Sequence, residues 1–229
     1  MTHTGTILPI RVVIADDHPV VLLGIKSLLQ EFRAGLEVVG EASGAGELRA
    51  LLPACECDLL ITDYSMPDEV GTEDGLAWLK RLRRDYPVLP VIVLSMIRNP
   101  ALIKGMMDIG VNGVVGKAAM TRELLLAIRT VMAGRSYVSK HLREVHVDGP
   151  TRGAGAGDGG MDNDLPSLSR REAEVVRLYA SGLSITQIAQ RVHRSVKTIS
   201  QQKNDAMRKL GLTSNSQLYE YARVRGLLN

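Results

Sequence analysis

Aromatic side chains are scarce: they make up 3% of the 229 residues, with one Phe, one Trp and six Tyr. That weighs against binding single-stranded nucleic acid, where bases stack on rings. Cysteine is nearly absent too. Cys55 and Cys57 stand a single residue apart, too close for an easy disulfide, and two ligands fall short of a structural zinc site. Reduced thiols in a cytoplasmic protein are the expectation, since stable disulfides belong to oxidising compartments. No uninterrupted apolar run approaches the about 18 residues that suggest a membrane span. The opening MTHTGTILPI lacks both the basic start and the apolar stretch of a signal peptide.

The length suits two modest domains, taking roughly 150 residues per domain as a prior. The net charge of +3 conceals an uneven distribution. Residues 165–229 carry 11 Lys/Arg against 4 Asp/Glu, whereas residues 1–148 carry 16 against 18. A basic tail beside a slightly acidic larger part points to a polyanion as the tail's partner. Between them, DGPTRGAGAGDGGMDNDLPS (148–167) is rich in Gly, Asp and Pro and has little to bury. That is the composition of a flexible linker.

Before the linker, IRVVIA (10–15), LEVVGEA (36–42), DLLIT (58–62), PVIVLSM (90–96) and VNGVVGK (111–117) read as strands. Amphipathic stretches at 19–32, 45–52, 75–85, from about Pro100 onward, and at 121–134 read as helices between and after them. This alternation predicts an α/β domain with a five-stranded parallel sheet covered on both faces. After the linker only helices are expected. Ser169 with Glu172 and Ser184 with Gln187 form two capping boxes, Ser195 starts a third helix that Gly211 closes, and a fourth runs from about Gln217 to Arg225. Two helices joined by a tight turn, the second long and polar on one side, make a helix-turn-helix pattern.

In parallel sheets a ligand site lies beyond the carboxyl ends of the strands. There the sequence places Asp16 and Asp17 after strand one, Asp63 after strand three, Ser95 at strand four and Lys117 at strand five. Three carboxylates with a nearby backbone carbonyl suit a hard cation such as Mg2+. A lysine and a hydroxyl opposite the metal would balance a phosphoryl group, so the set is that of an aspartyl-phosphate site. Taken singly, Asp16-Asp17 before His18-Pro19 also reads as an ordinary helix start. The positions together, at the ends of different strands, favour the phosphoryl reading.

VVIADDHPVVLLGI, LLITDYSMP, VIVLSM and GVVGK, in this order, resemble the receiver domain of bacterial response regulators across residues 10–134. The resemblance implies a flavodoxin-like fold with Asp63 as phosphoacceptor. It implies Mg2+ held by Asp17, Asp63, Asp16 and the carbonyl of Ser65, and phosphoryl sensing by Ser95 and Lys117. Three positions depart from the pattern. Val114 stands where receivers commonly carry a switch aromatic, MPDEVGTEDG is longer than the usual loop, and Ala118 replaces a common proline.

In the third tail helix, Lys197, Ser200, Gln201, Asn204 and Arg208 share one face, while Val196, Ile199, Ala206 and Leu210 lie largely on the other and can form core. Gln and Asn read adenine and Ser addresses several bases, so this face suits a major groove, with Lys197, Thr198 and Lys203 placed for phosphates. A plain solvated face has the same spacing. The run LSRREAEVVRLYASGLSITQIAQRVHRSVKTISQQKNDAMRKLGL resembles the LuxR-type helix-turn-helix of NarL/FixJ-class regulators. The resemblance implies a receiver at 9–135, a linker at 136–164 that is Gly-rich from about 149, and an all-α DNA-binding domain at 165–229. It implies a cytoplasmic homodimer on promoter DNA, associated with the nucleoid when bound, that regulates capsule or envelope genes. A histidine kinase or histidine phosphotransfer protein would supply the phosphoryl group, and an auxiliary regulator is an implied heterodimer partner. No enzyme is expected beyond phosphoryl transfer onto Asp63. One alternative is a DNA-binding regulator that uses an unphosphorylated receiver for homo- or heterodimerisation. Another is a phosphatase, but such enzymes usually place an acid two residues after the nucleophile, where Ser65 stands here.

Overall fold

Short runs of buried β-branched and other apolar residues build the sheet in the computed structural model, which describes residues 9–31, 35–66, 75–143 and 168–227. The whole Gly-rich linker (148–167), the extended loop after Met66 and the first eight residues lie outside these. The chain divides into two units. In the first, the strands are β1 (Ile10–Ala15), β2 (Leu36–Ala42), β3 (Leu59–Asp63), β4 (Val91–Ser95), β5 (Gly113–Gly116) and β6 (Tyr137–Val138). They pair parallel in the order β2-β1-β3-β4-β5-β6. The helices among and after these strands are α1 (Pro19–Glu31), α2 (Ala45–Leu51), α3 (Leu76–Asp85), α4 (Pro100–Ile109), α5 (Met120–Met132) and the single turn α6 (Lys140–Arg143), with Ile97–Lys104 and the chain from Leu142 onward assigned to the second unit.

One face of the sheet contributes Val12, Ile14, Leu59, Ile61, Ile92, Leu94 and Val115 to a core shared with Ile25, Leu28 and Leu29 of α1 and Leu124, Ala127, Ile128 and Val131 of α5. The alternate residues Val13, Leu60, Val93 and Val114 are buried as completely. Both faces are therefore covered, as continuous apolar strands require. Each fully buried Ile or Leu contributes about 1.5–3 kcal/mol.

Among the described residues the sheet has six strands, not the five expected from sequence. β6 has only two residues, too few for a periodicity signal, and it falls in the stretch 136–164 read as linker. Ser139 fastens it: its amide donates to Val114 O at 2.9 Å, and its fully buried hydroxyl accepts from the Gly116 amide at 3.1 Å. Ala118, where proline is common, lies in a 3-10 turn (Lys117–Ala119) that runs straight into α5.

The second unit contains α7 (Arg170–Ala180), α8 (Ile185–Arg191), α9 (Val196–Leu210) and α10 (Asn215–Val224). Both predicted capping boxes form, at Ser169/Glu172 and Ser184/Gln187. Val175, Ile188, Ala189 and Ile199 make the centre of its core. Between α8 and α9, His193 takes a left-handed φ of 52°, a conformation in which His is one of the better tolerated non-glycine residues. It lets Arg194 N reach back to Ala189 O at 2.9 Å, the six-residue closure that satisfies the end of α8. Ser195 then caps α9 through the Thr198 amide, and left-handed Gly211 ends it. Val196, expected in the core, is 48% exposed instead. As the first residue of α9 it precedes the turn that packs on α8.

Candidate functional site

β1, β3, β4 and β5 are successive neighbours, so their carboxyl ends lie together along the sheet. Asp16 follows β1, Asp63 closes β3, Ser95 closes β4 and Lys117 follows β5. The register sets Asp63 beside Leu94 and Ser95 beside Gly116. The Lys117 Nζ bridges Asp16 Oδ2 and Asp63 Oδ2, at 2.8 Å from each. The other oxygen of Asp63 accepts from the Tyr64 amide at 2.7 Å, and Asp16 Oδ1 accepts from the His18 amide at 2.9 Å. Asp16 is wholly buried, and Asp63 and Ser95 are 4% and 1% exposed. Asp17 is exposed and Ser65 half-buried at the rim.

Burial pushes the Asp63 carboxyl above its usual range, and Lys117 offsets only part of this. A carboxylate made more basic in this way is a better nucleophile than one at the surface. Burial alone would lower the Lys117 ammonium, but its hydrogen bonds to Asp16 and Asp63 outweigh that and hold it above its ordinary value. The lysine is therefore a fixed positive charge. Three carboxylates against one ammonium leave a local excess of two negative charges, which a divalent cation would neutralise.

The donor set fits such a cation. Ligand atoms of Asp16, Asp17, His18 and Asp63 all lie within 4.8 Å of one another. Octahedral Mg2+ with bonds of about 2.1 Å spans its donors over a similar distance and prefers oxygen. His18 is an arrival that sequence spacing did not forecast. Its Nδ1 sits 2.6 Å from Asp17 Oδ1 and 3.3 Å from Asp16 Oδ1.

On α9, Lys197, Thr198, Gln201, Asn204 and Arg208 are exposed, and Ser200 and Lys203 are half-buried. Ile199, Ala206 and Leu210 are buried on the opposite side, so the expected division of faces holds for them. Several of the polar residues are already engaged. Lys203 Nζ donates to Asn215 Oδ1 at 2.8 Å and lies 4.6 Å from the centre of the Tyr179 ring. The Thr198 hydroxyl is 2.8 Å from the capping hydroxyl of Ser195. Asp205, not singled out from sequence, accepts from both Gln201 and Arg208.

Comparison with known proteins adds a second line of observation. Residues 12–129 match the response regulator receiver domain, and residues 166–222 match the luxR family of bacterial regulatory proteins. The transcriptional regulatory protein RcsB of Escherichia coli strain K12 is 38% identical over 216 residues, covering 92% of this chain and 93% of that one. The chain belongs to the response regulators with a LuxR-type DNA-binding domain. The oxygen regulatory protein NreC of Staphylococcus haemolyticus is 33% identical over 219 residues, covering 96% of this chain and 99% of the relative. Among solved structures, RcsB of Salmonella enterica serovar Typhimurium bound to promoter DNA with the phosphomimetic BeF3- has a TM-score of 0.64 at 33% identity, covering 94% of this chain and 98% of that one. A structure of two RcsB dimers on two parallel DNAs has a TM-score of 0.63 at 34% identity, with the same coverage.

Membership makes this an RcsB-like response regulator with a receiver and a DNA-binding domain, and its relatives are transcriptional regulators. Receiver domains generally bind Mg2+ at an acidic pocket, and the cluster at the strand ends is acidic. Val114 is wholly buried within β5. No ring stands at that position to rotate between an inward and an outward state.

Proposed function

We propose that phosphorylation of Asp63 controls dimerisation and sequence-specific DNA binding by this response regulator. The observation that carries the reading is the bridging of Asp16 and Asp63 by Lys117 at the ends of three different strands. In this reading a carboxylate oxygen of Asp63 attacks the phosphorus of a phosphohistidine on a kinase or phosphotransfer protein. The phosphorus–nitrogen bond breaks, and its electron pair stays on the donor imidazole. Mg2+, held by Asp17, Asp63, the Ser65 carbonyl and, more remotely, Asp16, would neutralise the phosphoryl oxygens when bound. Lys117 exchanges its bond to Asp63 Oδ2 for one to a phosphoryl oxygen, and the Ser95 hydroxyl donates to another.

With Val114 in place of an aromatic, the change passes through backbone and packing shifts at Ser95 and the helix after it. In the tail, Ser200, Gln201, Asn204 and Arg208 lie on the face that enters the major groove, while Lys197, Thr198 and Lys203 meet the backbone. The receiver starts at 9 and takes in β6, past the expected end at 135, and the DNA-binding domain runs from 165 to 229. The protein works in the cytoplasm on the nucleoid, as a homodimer or with an auxiliary regulator, on envelope or capsule genes. Linking two tails raises the effective concentration of the second on its half-site.

Acetyl phosphate with Mg2+ tests the acceptor: Asp63→Ala is expected to take up no label, and persistent labelling would remove Asp63 from the role. Footprints of the labelled and unlabelled chain on promoter DNA address a second reading, which the buried Val114 favours, in which the receiver dimerises without phosphate. Identical footprints would support that second reading against the first.

A further inference from the structure

Gln201, Asp205 and Arg208 form a chain of hydrogen bonds along the exposed face of α9. Gln201 Nε2 lies 3.2 Å from each carboxylate oxygen of Asp205, and Arg208 Nη2 donates to Asp205 Oδ1 at 2.8 Å. The spacing i, i+4, i+7 puts the three on one face, where Gln and Asp four apart pair readily. We propose that Asp205 is a positioning residue that fixes the amide of Gln201 for adenine. This rests on the DNA-binding reading above and assigns the base that the Gln201 position selects.

A carboxylate only accepts, so the amide nitrogen of Gln201, not its oxygen, must face Asp205. The amide nitrogen has two hydrogens, one on the same side as Oε1 and one pointing away from it. Using the first would bring Oε1 towards a negatively charged group, so the second is the one donated. Oε1 and the remaining N–H then form a free edge with one acceptor and one donor in fixed order. Adenine presents the complement in the major groove, N6–H and N7 side by side, and a glutamine reads both at once. Without Asp205 the amide can turn over and present the two groups in reverse. Arg208 donates to Oδ1 of the same carboxylate and so helps to hold it in place.

A carboxylate on a DNA-facing helix repels phosphates, so Asp205 lowers general affinity in exchange for the orientation it imposes. Removing it should therefore change selectivity in one direction and overall affinity in the other. A merely structural role would produce no such split.

The test is selection from a randomised duplex pool by the full chain, with acetyl phosphate and Mg2+ present, for the wild type and three variants. The wild type is expected to enrich adenine at one position of each half-site, and Gln201→Ala to lose that preference. Asp205→Ala should lose roughly fivefold or more of the adenine preference at the same position, while binding the unselected pool more tightly. Asp205→Asn should retain most of the preference, because its side-chain carbonyl still accepts from Gln201. An Asp205→Ala profile that keeps the adenine overturns the inference. So does a loss that falls at a position other than the one lost in Gln201→Ala. A wild type that selects no sequence overturns the DNA-binding reading, and this inference with it.

Discussion

The strand-end site and the face of α9 both gather charged and amide groups, but in opposite surroundings. Asp16 and Asp63 have almost no solvent contact, whereas the side chain of Arg208 is 76% exposed. In the first place water cannot screen, so each charge sets the protonation and position of the next. In the second, ion pairs contribute little to stability, and what matters is which atom of a side chain faces outward. One region is organised for controlling charge, the other for presenting hydrogen-bonding edges.

Lys117→Ala should have the largest effect on stability. It leaves two buried carboxylates without their shared cation, which costs about 3–5 kcal/mol when one member of a buried ionic set is removed. The cost should depend on pH. Burial raises the Asp63 carboxyl, so the folded state holds that proton more tightly than the unfolded chain does. Such a group favours folding fully below its unfolded value and loses that contribution as pH rises through the raised folded value. Without Lys117 the raised value climbs further. The stability gap between wild type and variant, measured by urea unfolding over a pH series, should narrow on acidification, starting above the ordinary carboxylate range. A gap constant with pH would show that Asp63 and Lys117 are not coupled.

Glu172 supplies the same chemistry in the tail with the opposite sign. Burial would raise its carboxyl, but Lys209 at 2.8 Å and the capping bonds of Ser169 win, and it is held low. Its contribution is present above the unfolded value and is lost as pH falls through the lowered one. Glu172→Gln, which keeps the shape and part of the cap, should destabilise the isolated transition of the tail by about 1–2 kcal/mol at neutral pH. The gap should persist to lower pH than the one at Lys117. If both gaps closed in the same window, the assigned directions of shift would be wrong.

How much of this was legible beforehand differed between the two regions for a physical reason. The strand-end site depends on topology. Once five apolar runs are recognised as neighbours in a parallel sheet, Asp16, Asp63, Ser95 and Lys117 must come together, and the adjacent β1, β3, β4 and β5 provide that. Both capping boxes were equally local and equally readable. What escaped were contacts that carry no periodicity. β6 is two residues fixed by Tyr137 and Ser139, and His18 reaches the acidic pair through its own turn. Asp205 has no motif of its own, and only the bonds its oxygens accept from Gln201 and Arg208 give it a place. Val196 matched the core pattern of α9, yet the first turn of a helix can lie beyond the reach of its packing partners.

The smallest expected effect concerns two lysines that sequence spacing treated alike. Lys197 is exposed in the first turn of α9, whereas Lys203 is half-buried between Asn215 and the Tyr179 ring. A phosphate contact releases counterions, so each one lost lowers the slope of log affinity against log salt by about 0.9. Lys197→Ala should show that full decrease. Lys203 must first give up its bond to Asn215 and its place over the ring, a cation–π contact of about 0.5–1 kcal/mol at an exposed site. Lys203→Ala should therefore flatten the slope by less, while lowering the thermal midpoint of the tail more than Lys197→Ala does. The reverse ranking on both measurements would mean that Lys203 leaves Tyr179 on binding, and that the packing seen in the free chain does not restrain it.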